Sequence, residues 1–268
     1  MLPNTNLAAF NLTVSTLLRN PSHLVPHLTI STFLQLPEDL SHHLLDPSTP
    51  DGTRVPAIRA LVIDKDNTLT PPHQTTFPQA YKDKLRALRT SETSPFNMKI
   101  NPDGILIVSN TAGSDPRSKR YEEDAQKIEE ELHDLRIKVY RAPERKLGAA
   151  PMKKPFSYNG VLGYLKDRGV VESAEEVAVV GDRVGTDVIM ASMMGAWSVW
   201  TRDGVTEDLN GNKGKNYRGF LANYIKKEKK KEEKKGKDKK DKKDKKKKEK
   251  KEKKEEEKEE EKGEEGEG

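Results

Sequence analysis

Two aspartates separated by one residue, directly after an apolar run, constrain this chain more than any other feature. The stretch reads Ala60-Leu61-Val62-Ile63-Asp64-Lys65-Asp66-Asn67-Thr68-Leu69-Thr70. A short β-branched run without polar alternation has the pattern of a strand buried on both faces, as in parallel sheets covered by helices. Open sheets of that kind place their chemistry beyond the carboxyl ends of the strands. Side chains two residues apart on extended backbone point the same way, so Asp64 and Asp66 would share one crevice. Two carboxylates that close repel unless a cation lies between them, and a hard divalent ion with oxygen ligands, such as magnesium, suits the pair. The spacing by itself also fits a strand end followed by an Asx turn. Later segments decide between the two.

Four more apolar runs follow, at residues 104–108, 137–140, 177–180 and 196–200, alternating with helical patterns at 79–89, 115–135, 158–168 and 187–195. Strand and helix in alternation predict an α/β fold: a Rossmann-like open parallel sheet with helices on both faces. Tyr81, Leu85 and Leu88 mark the inward face of the first of these helices, and residues 90–103 read as an irregular loop. The run at 104–108 leads into Ser109-Asn110-Thr111. A small hydroxyl there can hold a phosphate oxygen beside backbone N–H groups, or it can cap the next helix. Lys153-Lys154-Pro155 puts a lysine before a proline at a helix entrance, next to the positive end of the dipole. A cation is out of place there unless an anion binds, although an exposed lysine pair is the plainer alternative. The run at 177–180 ends in Gly181-Asp182-Arg183-Val184-Gly185-Thr186-Asp187, a second acidic strand end.

Composition divides the chain into three parts, residues 1–56, 57–225 and 226–268. The last part holds 22 Lys, 17 acids and 4 Gly and nothing apolar, which predicts a disordered tail. Without it the chain carries 27 basic and 27 acidic groups, so the net charge of +5 belongs to the tail. No nucleic-acid partner is expected, since the tail is mixed in charge and offers no aromatic ring for a base to stack on. With 0 Cys, disulfides and thiolate metal sites are excluded. Residues 1–37 contain no acid and a single Arg. In this part Leu7, Phe10, Val14, Leu17 and Leu18 recur at helical spacing, between Asn6 as N-cap and Pro21 as stop. That apolar face fits a targeting helix, a helix lying on a membrane surface, or a helix packed on the domain. A Pro-rich connector extends to residue 56, with His42-His43 as a surface pair. The sequence leaves a homo-oligomer open.

Strand-Asp-x-Asp-x-Thr, strand-Ser-Asn, Lys-Pro, and strand-Gly-Asp followed by a later Asp stand in the order of the four motifs of the haloacid dehalogenase-like phosphohydrolases, which residues 58–205 resemble. The resemblance implies that Asp64 attacks phosphorus to form an aspartyl-phosphate. It also implies that Asp66 serves as general acid and then general base, a role that asks for a raised pKa. Thr68 would orient Asp66, Ser109 and Asn110 would bind the phosphoryl group, and Lys154, with Lys153 as alternate, would balance its charge. Magnesium would be held by the Asp64 carboxylate, the Asp66 carbonyl and Asp182. Asp187 would be a further ligand or would fix Lys154. Lys65 and Asn67 stand where an apolar residue and Gly are frequent, and Lys65 is expected to add charge near the entrance.

DKDNTLT, IVSNTAGS, KKP, VAVVGDR-x-x-TD and VW-x-RDG are similar to the mitochondrial phosphatidylglycerophosphate phosphatases of fungi, in the N-terminal parts as well but not in the tail. That family makes phosphatidylglycerol for cardiolipin synthesis, which implies a phospholipid substrate and a peripheral place on the matrix side of the mitochondrial inner membrane. The segments between strands are too short for a large cap domain, and an uncapped rim suits a headgroup still attached to its lipid. Arg141, Arg145 and Lys146 are then candidates for receiving the second, diester phosphate. A phosphatase for soluble or protein phosphoesters, and a scaffold working through its charged tail, are the competing expectations.

Overall fold

The computed structural model describes residues 6–44, 55–144 and 152–207. Its sheet consists of β1 (Leu28–Ile30), β2 (Ala60–Ile63), β3 (Ile105–Ile107), β4 (Lys138–Val139), β5 (Val177–Gly181) and β6 (Trp197–Thr201). The order is β1-β6-β5-β2-β3-β4, and every pairing is parallel. From β2 the chain moves outward through β3 and β4, then returns to lay β5 on the other side of β2. The order therefore reverses at β2, and a switch point of this kind opens a crevice beyond the strand ends.

Alternation along the strands builds two cores. Leu61, Ile63, Ile105, Ile107, Ala178 and Val180 face α2 (Gln79–Thr90) and α3 (Lys119–Glu131), meeting Tyr81, Leu85, Leu88, Ala125 and Ile128. Ala60, Val62, Leu106, Val177 and Val179 face α4 (Tyr158–Asp167) and α5 (Ile189–Met194), meeting Val161, Leu165, Met190 and Ala191. With both faces covered, β2 is buried at all its positions. Among the described residues the β2 to β3 connection holds one α-helix and turns, with no cap domain.

Three elements depart from the expected pattern. The connector after residue 23 supplies the edge strand β1, paired to β6, and places Phe33, Leu36, Leu40 and Leu44 in the first core. Pro26, two residues ahead of this three-residue strand, does not keep the segment out of the sheet. The helix expected over 115–135 begins only at Lys119, because the Ser118 side chain accepts a hydrogen bond from the Tyr121 N–H. A π-turn, Val184–Val188, precedes α5, and Gly195 ends that helix at φ 78°. The lysine-rich tail lies outside the described residues.

The N-terminal helix α1 (Leu7–Arg19) starts at Asn6, whose side chain accepts from the Ala9 N–H at 3.3 Å, and stops before Pro21. Its packing is the reverse of a core helix. Ala9 alone is buried, whereas Leu7, Phe10, Val14, Leu17 and Leu18 are 64, 55, 40, 59 and 79 % exposed. The apolar face thus turns away from the domain, contrary to the packed alternative. No helix among the described residues is long and apolar enough to cross a membrane.

Arg89 organises the irregular loop after α2. It is fully buried and donates to the carbonyls of Leu135, Phe96, Asn101 and Pro102 at 2.8, 2.7, 2.9 and 2.6 Å. The Asn101 carbonyl also accepts from the Gly104 N–H at 3.2 Å, whereas the other three rely on this buried side chain. Replacing it by Met, Arg89→Met, is expected to cost about 3 kcal/mol or more in a urea unfolding series, with Arg89→Lys recovering only part.

Candidate active site

Asp64 follows directly on β2, its N–H donating to the Val180 carbonyl at 2.8 Å, so its position is set by the sheet. It is 6 % exposed. The Lys154 ammonium, equally buried, donates to Asp64 Oδ1 and to Asp187 Oδ1, the latter at 2.6 Å. Asp187 Oδ2 accepts from the Arg183 N–H at 3.1 Å, so both of its oxygens are engaged. Gly181 is required here, because a Cβ would run into the Asp187 carboxylate. Of the two lysines, Lys154 is the one that reaches the acids. Lys153 turns outward and sits 5.9 Å from the centre of the Tyr121 ring.

Asp182 lies just past β5. Its Oδ2 accepts from Asn67 Nδ2 at 2.7 Å, but its buried Oδ1 has no hydrogen-bond partner, with the Arg183 guanidinium 3.8 Å away. Carboxylate oxygens of Asp64, Asp182 and Asp187 fall within 4.8 Å of one another. Burial pushes Asp64 up to about 6, Lys154 pulling against it and Asp187 and Asp66 adding to the rise. Burial, with Asp64 close by, pushes Asp182 up to about 8. Hard oxygen donors, excess negative charge and an orphaned carboxylate oxygen are what a divalent cation would satisfy, and the donor set fits magnesium.

Asp66 is held differently from its expected role. Its Oδ1 accepts from Lys65 Nζ and from the His73 N–H, both at 2.7 Å, and its Oδ2 lies 3.4 Å from the Thr111 hydroxyl. Burial opposes ionisation, but Lys65 and these donors outweigh it and hold the carboxyl below the usual range, not above it. Lys65 is itself 2 % exposed and also donates to the Gln74 carbonyl, so it is no charge at the entrance. Its long stem lets it curl back onto the residue beside it. Thr68 makes no side-chain hydrogen bond to Asp66: its hydroxyl is buried without a hydrogen-bond partner. Asn67 replaces Gly because asparagine tolerates its left-handed φ of 60°, and its amide then reaches Asp182.

Ser109, 4 % exposed, lies within 3.0 Å of the Thr111 hydroxyl and accepts from the Thr111 N–H at 3.1 Å. Asn110 spends its side-chain oxygen on the Lys154 N–H at 2.7 Å, so that oxygen positions the lysine and does not face a phosphoryl group. Asn6, at the head of α1, donates to the Lys154 carbonyl at 2.7 Å. The peptide units on both sides of the lysine are thereby tied down. Helix α4 begins at Tyr158, as the pattern over 158–168 predicts, so the Lys-Pro pair stands just ahead of the helix and not in its first turn. Arg141 is not a free anion receptor, for its guanidinium is paired with Glu122 and Glu129 and donates to the Val139 carbonyl. Arg145 and Lys146 lie outside the described residues.

Asn6, Lys65, Thr111 and Arg183 carry contacts in this site that the motif spacing does not reveal. Only Lys65, as a charge between two acids, offered a signal in the sequence.

A central strand ending in this aspartate pair, with a lysine brought in ahead of α4 and a second acidic strand end beside it, makes the fold haloacid dehalogenase-like. Residues 7–206 match the family described as mitochondrial PGP phosphatase, and the chain belongs to that family. It is 36 % identical over 154 residues to the mitochondrial phosphatidylglycerophosphatase GEP4 of Saccharomyces cerevisiae, covering 58 % of this chain and 72 % of that one. A probable mitochondrial phosphatidylglycerophosphatase of Schizosaccharomyces pombe is 32 % identical over 197 residues, covering 72 % and 81 %. Among solved structures, a p-nitrophenyl phosphatase from Archaeoglobus fulgidus aligns with a TM-score of 0.31 and 16 % identity over 56 % of this chain and 88 % of that one.

Asp64 and Asp182 bind protons in the folded chain that they release on unfolding, because their folded pKa values lie above the ordinary carboxylate value. Between about pH 5 and pH 8 their contribution to stability therefore falls as pH rises. Melting temperatures of the metal-free protein should decline across that window, and magnesium should raise them most at its upper end, where it displaces the fewest protons. A flat or rising profile would contradict the assignment.

Proposed function

We propose that this protein is a magnesium-dependent phosphatase that removes the terminal phosphate of phosphatidylglycerophosphate, yielding phosphatidylglycerol. The observation that carries the reading is the buried Asp64–Lys154–Asp187 cluster beside Asp182, in a chain whose family and relatives bear that activity in their names.

The chemistry begins with Asp64 as nucleophile. Its carboxylate attacks phosphorus, the bond from phosphorus to the glycerol oxygen breaks, and an aspartyl-phosphate forms. Lys154 keeps Asp64 ionised despite burial and offsets negative charge on the entering phosphate. The carboxylates of Asp64 and Asp182 and the carbonyl of Asp66 would hold magnesium, which would supply further charge neutralisation at the phosphoryl oxygens. Asp187 acts by fixing Lys154.

Asp66 transfers the protons. With Oδ1 occupied by Lys65 and the His73 N–H, its Oδ2 is the oxygen left for the leaving group. The arriving phosphate dianion opposes Lys65 and raises the proton affinity of Asp66, which lets it deliver a proton to the departing alkoxide. Once ionised again, it takes a proton from the water that attacks the aspartyl-phosphate, releasing inorganic phosphate and restoring Asp64. Ser109 lies at the neighbouring strand end as a donor for the transferring group.

The uncapped rim suits a headgroup presented by a lipid surface, and α1 is the element that reaches that surface. The reading places the enzyme peripherally on the matrix side of the mitochondrial inner membrane.

Phosphate release from phosphatidylglycerophosphate in detergent micelles tests the substrate. Turnover is expected to require magnesium, to fall at least about a thousandfold in Asp64→Asn, and to exceed that of glycerol 3-phosphate at equal concentration. Equal or better turnover of the soluble ester would keep the chemistry and remove the lipid.

A further inference from the structure

We propose that α1 is a membrane sensor: its exposed apolar stripe enters an anionic lipid surface, and Asn6 passes that docking to the Lys154 segment, so that lipid raises turnover even of a substrate in solution. The inference rests on the phosphatase reading above and extends it to regulation of the same site.

The occupant of the stripe follows from its chemistry and its place. Leu7, Phe10, Val14, Leu17 and Leu18 form one exposed face of a helix whose inner side carries Ala9, Thr13 and Thr16, with Leu12 half-buried among them. No acidic residue occurs in residues 1–37, so nothing on this part of the chain repels anionic headgroups, and Arg19 in the last turn of α1 favours them. The helix is also fastened to the catalytic loops and not to a remote surface. Thr13 contacts the Gly185 carbonyl at 3.5 Å, and a Cβ at Gly185 would approach its hydroxyl within 2.7 Å. Membrane engaged by this face therefore lies next to the crevice that must receive a headgroup.

The coupling follows from one side chain with two tasks. Asn6 caps α1 through Oδ1, accepting from the Ala9 N–H, and holds the Lys154 carbonyl through Nδ2. When α1 is helical both bonds are in place, and when its first turn opens both are lost. A helix of 13 residues with one buried side chain has little holding it together in water. A lipid surface binds the helical form and not the frayed one, so it shifts the population toward the state in which Lys154 is tethered. Lys154 bridges Asp64 and Asp187, and its tether bears directly on the charge balance of the nucleophile.

The test uses the full chain, p-nitrophenyl phosphate as soluble substrate, and vesicles of phosphatidylcholine with phosphatidylserine. The rate with vesicles divided by the rate without them should be about fivefold or more for the wild type. In the Leu17→Ser, Leu18→Ser double variant that ratio should fall to about one, with loss of co-sedimentation. Asn6→Asp keeps an oxygen for the cap but cannot donate to the Lys154 carbonyl. It should still sediment with vesicles while losing the stimulation. Amide hydrogen exchange of the inactive Asp64→Asn protein supplies a readout independent of turnover: vesicles should slow exchange in α1 and at Lys154 together. An unchanged wild-type ratio, full stimulation of Asn6→Asp, or protection confined to α1 would each overturn the proposal. So would a concentration-dependent dimer that covers the stripe and ignores vesicles. Loss of all turnover in the wild type, with the coupled protection intact, would instead count against the phosphatase reading alone.

Discussion

The buried ammonium of Lys154 between Asp64 and Asp187 is the contact on which the rest of the structure depends. Without it, three carboxylates would share a space a few ångströms across with almost no water to screen them. Removing one partner of a buried charge pair strands the other, typically at several kcal/mol, so neither acid tolerates loss of the lysine. The surroundings act to hold that lysine in place. Asn110 takes its N–H, Asn6 takes its carbonyl, Gly181 leaves room for Asp187, and the Arg183 N–H fixes the far oxygen of Asp187. Sheet topology supplies the coarse placement by reversing at β2, and these contacts supply the fine one.

The site divides its acids by environment. Asp64 and Asp182 sit where burial raises proton affinity, and a cation can lower it again. Asp66, one residue past Lys65, is kept ionised by its own neighbour. In the proposed mechanism the first attacks and the last moves protons, and their opposite environments occur on the same turn of chain.

The sheet was legible because a strand buried on both faces leaves a continuous β-branched run, and five such runs with helices between them admit few arrangements. β1 was not, since three residues in a Pro-rich stretch carry no periodicity, and only the open edge of β6 makes them a strand. Asp64, Asp182, Asp187 and Lys154 were legible from their places at strand ends and before a helix. The contacts of Lys65 were hidden because alternation along a strand says where a side chain starts, not where a long one ends. Arg141 misled for a related reason: its sequence position gave no sign of Glu122 and Glu129, which approach it from α3. The apolar periodicity of α1 was plain, but which way the face turned depended on Ala9 and Thr13, the small residues between the large ones.

The central claim is covalent catalysis by Asp64, and trapping the intermediate tests it most directly. Protein turning over phosphatidylglycerophosphate with magnesium would be quenched in acid, reduced with borohydride, digested and sequenced by mass spectrometry. An aspartyl-phosphate is reduced to homoserine, whereas a free carboxylate is not. The account predicts homoserine at position 64 and at no other aspartate, absent when substrate is omitted. Steady turnover without homoserine at position 64, or with it at another aspartate, would contradict it.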